Sequence, residues 1–147
     1  MSNTDLVKSI LAAFESGDTK KAESLLSDDM VFDGPVPKPI GKHEFVGLQG
    51  ALVAAIPDWK FSAGEFKEQG DKVMLKVHIS GTHTKLLSLP PMGIQSVPPT
   101  GKHVQLPFEP LTITVRNGKA TRIESESVEG GGVPGLLAQL GVKMPHP

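Results

Sequence analysis

At Pro57 the hydrophobic period of this chain changes, and few folds accommodate the change. Before it, Leu6, Val7, Ile10, Leu11 and Phe14 recur at helical spacing, and a second helical stretch runs from Lys42 to Ile56. After it, alternation takes over. Val73, Leu75, Val77 and Ile79 interleave with Lys72, Met74, Lys76, His78 and Ser80, so one face is apolar and the other mostly polar. Helices first and a meander of strands afterwards is an α+β order, in which the helices bury their apolar stripes against one face of a sheet. The economical solution is a curved, mostly antiparallel sheet wrapped around three N-terminal helices, with a short C-terminal helix. At 147 residues the chain reads as a single domain, residues 1–147.

The pattern predicts a first helix from about Thr4 to Glu15, capped by Asn3 or Thr4 and ended by Gly17. Asp18 caps a second helix through Ala22, Leu25 and Leu26. Met30-Val31-Phe32 reads as a short strand leading into Pro35-Val36-Pro37-Lys38-Pro39, whose missing amide donors exclude helix and central strand. Gly47 and Gly50 each weaken the third helix by about 1 kcal/mol relative to alanine, which leaves close approach by a neighbour or plain tolerance open. Strands follow near 58–68, 72–83, 103–116 and 119–129, with Gly70-Asp71 and Asn117-Gly118 as hairpin turns. Thr84 to Gly101, with Pro90, Pro91, Pro98 and Pro99, reads as a long loop. Pro107 and Pro110 predict a bulge, and a helix from about Pro134 to Leu140 closes the pattern.

Several function classes fall away. A formal net charge of −1 with scattered Lys and Arg does not suit a nucleic-acid partner. No stretch approaches the roughly 20 apolar residues of a membrane span. The segment after Met1 lacks the basic and apolar regions of a signal peptide, so a cytoplasmic location is expected. The chain has no cysteine for a thiolate or disulfide, and no tyrosine to donate a phenol to an oxyanion. The histidines show no chelating spacing, so no metal site is expected. Gly130-Gly131-Gly132-Val133-Pro134-Gly135 fits G-x-G-x-x-G, but no βαβ unit and no acid about 20 residues on accompany it. No cofactor is expected.

Carboxylates are the better candidates for chemistry. Glu124 and Glu126 lie two apart on the last strand, with Glu129 at its end and Glu109 on the neighbouring strand. A carboxyl enclosed in apolar surroundings has a raised pKa and can act as base or acid near neutrality; exposed, the same residues form a solvated face with Arg122. Trp59 and Phe61 share a face of their strand, and Phe32, Phe45, Leu106 and Phe108 supply more large apolar area, as pocket wall or as core.

Pro57-Asp58-Trp59, Gly81-Thr82-His83 and Pro98-Pro99-Thr100-Gly101-Lys102 occur in that order, followed by Asn117-Gly118-Lys119 and Gly135-Leu136-Leu137-Ala138-Gln139-Leu140-Gly141. This order, spread from about Leu6 to Val142, resembles the SnoaL-like polyketide cyclase family of the NTF2-like superfamily. The resemblance implies an NTF2-like cone holding one small, mostly apolar molecule, pairing of two chains as a homodimer, and cofactor-free aldol ring closure by an acidic residue. The family's aspartate stands three residues before the glycine that opens the last motif, and here that position is Gly132. Loss of the acid is the simpler reading; otherwise Glu126 or Glu129 carries the role, with Trp59, His78 or His83 as donor. Trp59, Phe61, Phe32, Phe45, Leu106, Phe108 and Glu109 are the expected substrate contacts. Three readings stay open: aldol cyclisation or isomerisation of a carbonyl compound, a non-catalytic dimeric binding module, and epoxide hydrolysis. The last wants an Asp-Arg-Asp arrangement that these strands do not offer.

Overall fold

A computed structural model describes residues 2–34, 38–89, 94–126 and 128–142. Helix α1, Asn3–Glu15, is capped by Ser2, whose hydroxyl accepts the Asp5 N–H while the Asp5 carboxylate accepts the Ser2 N–H. The cap thus falls just ahead of Asn3 and Thr4. Helix α2, Thr19–Ser24, is capped as expected by Asp18, which accepts the Lys21 N–H at 3.1 Å. Strand β1, Leu26–Asp33, is longer than its apolar core suggests, because it pairs along its length with the last strand and carries a register shift between Leu26 and Val31. Strand β2, Ile40–Gly41, and helix α3, Lys42–Ala55, follow. The expectation for Pro35-Val36-Pro37 lies outside the described residues.

The meander comprises β3, Gly64–Gln69; β4, Lys72–Val77; β5, Ser80–Thr82; β6, Leu87–Leu89; β7, Ile94–Val97; β8, His103–Gln105; β9, Glu109–Arg116; and β10, Lys119–Ser125. Helix α4, Gly132–Leu140, comes last. The main sheet has the order β2-β1-β10-β9-β4-β3 and is antiparallel except where β1 runs parallel to β10. Its inner face carries Val73, Leu75, Val77, Ile113, Val115 and Ile123, all buried against Leu6, Ile10 and Phe14 of α1 and Phe45, Leu48 and Leu52 of α3. This is the curved α+β cone that the period change implies.

Several expectations need correction. The second helix, expected through Leu26, ends at Ser24 because Leu26 opens β1. The strand expected over 58–68 begins at Gly64: Ser62 takes a positive φ, and the stretch before it meets β5 only through the Lys60–Ser80 bridge, so Trp59 and Phe61 are not strand residues. The strand expected over 119–129 ends at Ser125. The strand expected over 72–83 breaks after Val77, because β5 leaves the main sheet to pair with β8. The strand expected over 103–116 breaks likewise between β8 and β9, around Pro107; Pro110 stays in unbroken register opposite Lys76 and makes no bulge. The loop expected over 84–101 contains a hairpin, β6–β7, since Leu87, Leu89, Ile94 and Val97 are buried and outweigh the prolines. Pro98 and Pro99 follow the hairpin, and Pro90 and Pro91 lie outside the described residues. Asn117-Gly118 forms its predicted turn, both residues having the positive φ of a type I′ hairpin.

Candidate functional site

The cone encloses a cavity of about 90 Å³ between α1, α3, the inner face of the sheet and the first turn of α4. Its wall is aromatic and aliphatic: Phe14, Phe32, Phe45, Trp59, Phe61, Leu106 and Ile113 all contribute. Phe45 sits between Phe14 and Phe32, with ring centroids 5.7 and 4.9 Å away, and Trp59 meets Phe61 edge-on at 5.9 Å. Gln49, Trp59, Glu109 and Ser125 supply polar side-chain atoms. Among the described lining residues Glu109 is the one ionisable group.

Glu109 opens β9 and is 3% exposed. It faces inward for the same reason as Leu111 and Ile113, which lie two and four residues further along the same strand face. Its Oε1 accepts the Gly132 N–H at 2.9 Å, at the start of α4. Its Oε2 is buried without any partner among the described residues. Burial pushes this carboxyl above the ordinary carboxylate range, and the Gly132 N–H pulls more weakly the other way. Gly131 creates the space: a Cβ there would stand 3.1 Å from Glu109 Cδ and 2.6 Å from Val128 Cγ2. Thus Gly132 cannot itself transfer a proton, yet its amide holds a carboxyl delivered by the adjacent strand.

The other expected residues are distributed differently. Glu126 and Glu129 are exposed and do not line the cavity. Glu126 borders an outer-surface cleft with Asp33 and Glu124, where Arg122 bonds Asp33 at 3.1 Å and Glu124 at 2.6 Å. His78 is half-buried, stacked on Phe108 at 4.4 Å, and Phe108 is 57% exposed. Neither lines the cavity. Phe32, Phe45, Trp59, Phe61, Leu106 and Glu109 do.

His83 is fully buried but belongs to a corner of the scaffold. Its Nδ1 accepts the Thr100 N–H at 3.2 Å and lies 3.0 Å from Thr100 Oγ1, while its carbonyl accepts the Gly101 N–H at 2.8 Å. Next to it, Asp58 Oδ1 accepts the Thr82 N–H at 2.7 Å, which is the main reason the Asp58 carboxyl lies below its usual pKa. Gly81 permits the approach, since a Cβ there would overlap the Ile56 side chain. Pro57-Asp58-Trp59, Gly81-Thr82-His83 and Pro98-Pro99-Thr100-Gly101-Lys102 therefore meet in one hydrogen-bonded corner that carries Trp59 into the cavity wall.

Two participants carried no sequence signal, Gln49 and the backbone of Gly132. Glu109 did carry one, in its alternation with Leu111, Ile113 and Val115, and a carboxylate in such an apolar series marks a buried acid.

Comparison with known proteins agrees with this architecture. The SnoaL-like domain pattern matches residues 7–123. AclR of Streptomyces galilaeus, a proposed hydroxylase, is 22% identical, with 95% of each chain covered and a TM-score of 0.74. IdmH of Streptomyces antibioticus, a proposed polyketide cyclase, is 26% identical over 97% of this chain and 100% of its own, with a TM-score of 0.72. A ketosteroid isomerase-like fold protein of Catenulispora acidiphila, solved with trimethylamine, is 14% identical, covers 93% of this chain and 92% of its own, and superposes with a TM-score of 0.67. No curated protein matches the chain. With the matched pattern spanning most of its length and the cone in place, the chain belongs to the SnoaL-like domain family.

Proposed function

We propose that the cone binds one small, mostly apolar carbonyl compound and that Glu109 moves a proton on it. The observation that carries this reading is the buried, unpartnered Oε2 of Glu109 on the wall of an otherwise apolar cavity. Oε2 takes a proton from the carbon next to the carbonyl, leaving an enolate. The same carboxyl then returns the proton, either to another carbon, which isomerises the compound, or to the alkoxide formed when the enolate attacks a second carbonyl of the same molecule. Both routes begin and end with a neutral ligand and a protonation cycle of one group. A carboxyl whose proton affinity burial raises suits both halves of that cycle. The tether from Gly132 holds the carboxyl in place through it.

The general form of the step can be read on a simple ketone. In D2O, exchange of the α-hydrogens of cyclohexanone for deuterium, followed by NMR, should be accelerated by the protein. Glu109→Gln keeps the size and removes the base, and should lower that acceleration by about 100-fold or more. Exchange unaffected by the substitution would remove Glu109 from the chemistry. Binding of cyclohexanone without any acceleration would favour the binding-module reading.

A further inference from the structure

Trp59 presents a second polar group that the proton transfer does not use. The indole is 4% exposed, and its Nε1–H is buried with no acceptor among the described residues. Leaving such a donor unpaired is costly, so a native structure that keeps one gives it a partner elsewhere. Trp59 is part of the cavity wall, and so is Gln49, whose Oε1 is also buried and unpaired. Both side chains stand among Phe14, Phe45 and Phe61, where hydrophobic contact alone would accept any apolar shape of the right size.

We propose that Trp59 is a specificity-determining residue that selects ligands presenting a carbonyl oxygen, its Nε1–H donating to that oxygen, with Gln49 taking the ligand's second polar group. This deepens the preceding reading and rests on it, since it names what the cavity requires of the molecule on which Glu109 acts. An indole N–H can only donate, so the group opposite it must accept; hydrocarbon shapes and ligands offering only donors leave it unpaired. The amide of Gln49 can donate or accept, so it tolerates a hydroxyl or a second carbonyl. A hydrogen bond at the carbonyl oxygen also strengthens as that oxygen gains charge on enolisation, which places Trp59 where an absent tyrosine would otherwise serve.

The chain has one tryptophan, so its indole N–H gives a single NMR resonance that reads the contact directly. Titration with cyclohexanone and with methylcyclohexane, of nearly equal shape, compares an acceptor with none. Cyclohexanone should move the indole proton downfield, and methylcyclohexane should leave it near its starting position while both shift the Gly132 and Val133 amides. Trp59→Phe should weaken cyclohexanone binding about tenfold and leave methylcyclohexane binding within about twofold. Equal movement of the indole proton by both compounds, or parallel loss of both affinities in Trp59→Phe, would overturn the proposal with the pocket intact. Failure of both compounds to shift the Gly132 and Val133 amides would overturn the pocket reading, and this one with it.

Discussion

Glu109 ties a backbone amide, a packing vacancy and a proton equilibrium to one side chain, and its consequences can be measured on stability as well as on turnover. Folding raises the proton affinity of the carboxyl by burying it. Between the ordinary carboxylate pKa and the raised one, the native state therefore holds more protons than the unfolded chain, and stability falls as pH climbs through that interval. Glu109→Gln cannot titrate and should abolish this part of the decline. Urea unfolding of both proteins at a series of pH values rising from the ordinary carboxylate range should show the variant gaining on the wild type as pH rises. A constant difference across that series would mean that burial does not perturb this group.

At the scale of elements, glycines divide into those that leave room and those that do not. Gly131 has an extended backbone open to any residue, φ −101° and ψ −179°, so the objection to a side chain there is purely one of space. Gly131→Ala should press on Glu109 and Val128 and cost about 1–3 kcal/mol by thermal or urea unfolding, with loss of the deuterium exchange. Gly47 lies inside α3 with nothing near its missing Cβ. Gly47→Ala should therefore stabilise the protein by about 0.5–1 kcal/mol. Of the two explanations left open for the α3 glycines, tolerance fits Gly47, while a Cβ on Gly50 would meet Thr19 Cγ2 at 3.5 Å, an ordinary contact.

The same scale shows what the sequence could convey. The amphipathic pattern of α1 and the alternation in β4 reflect burial on one side, a property each segment expresses in its own residues. The breaks at Val77 and Pro107 reflect where β5 and β8 find each other, which depends on two distant segments at once. The β6–β7 hairpin was obscured by prolines flanking its buried leucines rather than interrupting them. At the site, the aromatic wall was legible as bulky apolar residues. The acid was obscured because several glutamates crowd the last strand and only their facing distinguishes them. Glu124 alternates outward with the inward Ile123, whereas Glu109 shares the inward face of Leu111 and Ile113.

The whole molecule depends on the seam where β1 meets β10, with Phe32 opposite Ile123 and Asp33 opposite Glu124. Ile123 is buried there and also lines the cavity. Ile123→Ala should cost about 2–5 kcal/mol on unfolding, reading both the join and the cavity wall through one side chain. The parallel pairing also sets a sequence of events in time. Strands so far apart in the chain must find each other before β1 joins the main sheet, and pairings of that span slow folding. During synthesis the helical half leaves the ribosome well ahead of β10 and waits with its apolar stripe uncovered. A nascent chain stalled before Lys119 has emerged should therefore be protease-sensitive and bound by chaperones. The last strand to be made is the one that joins the strand following the first helices to the rest of the sheet.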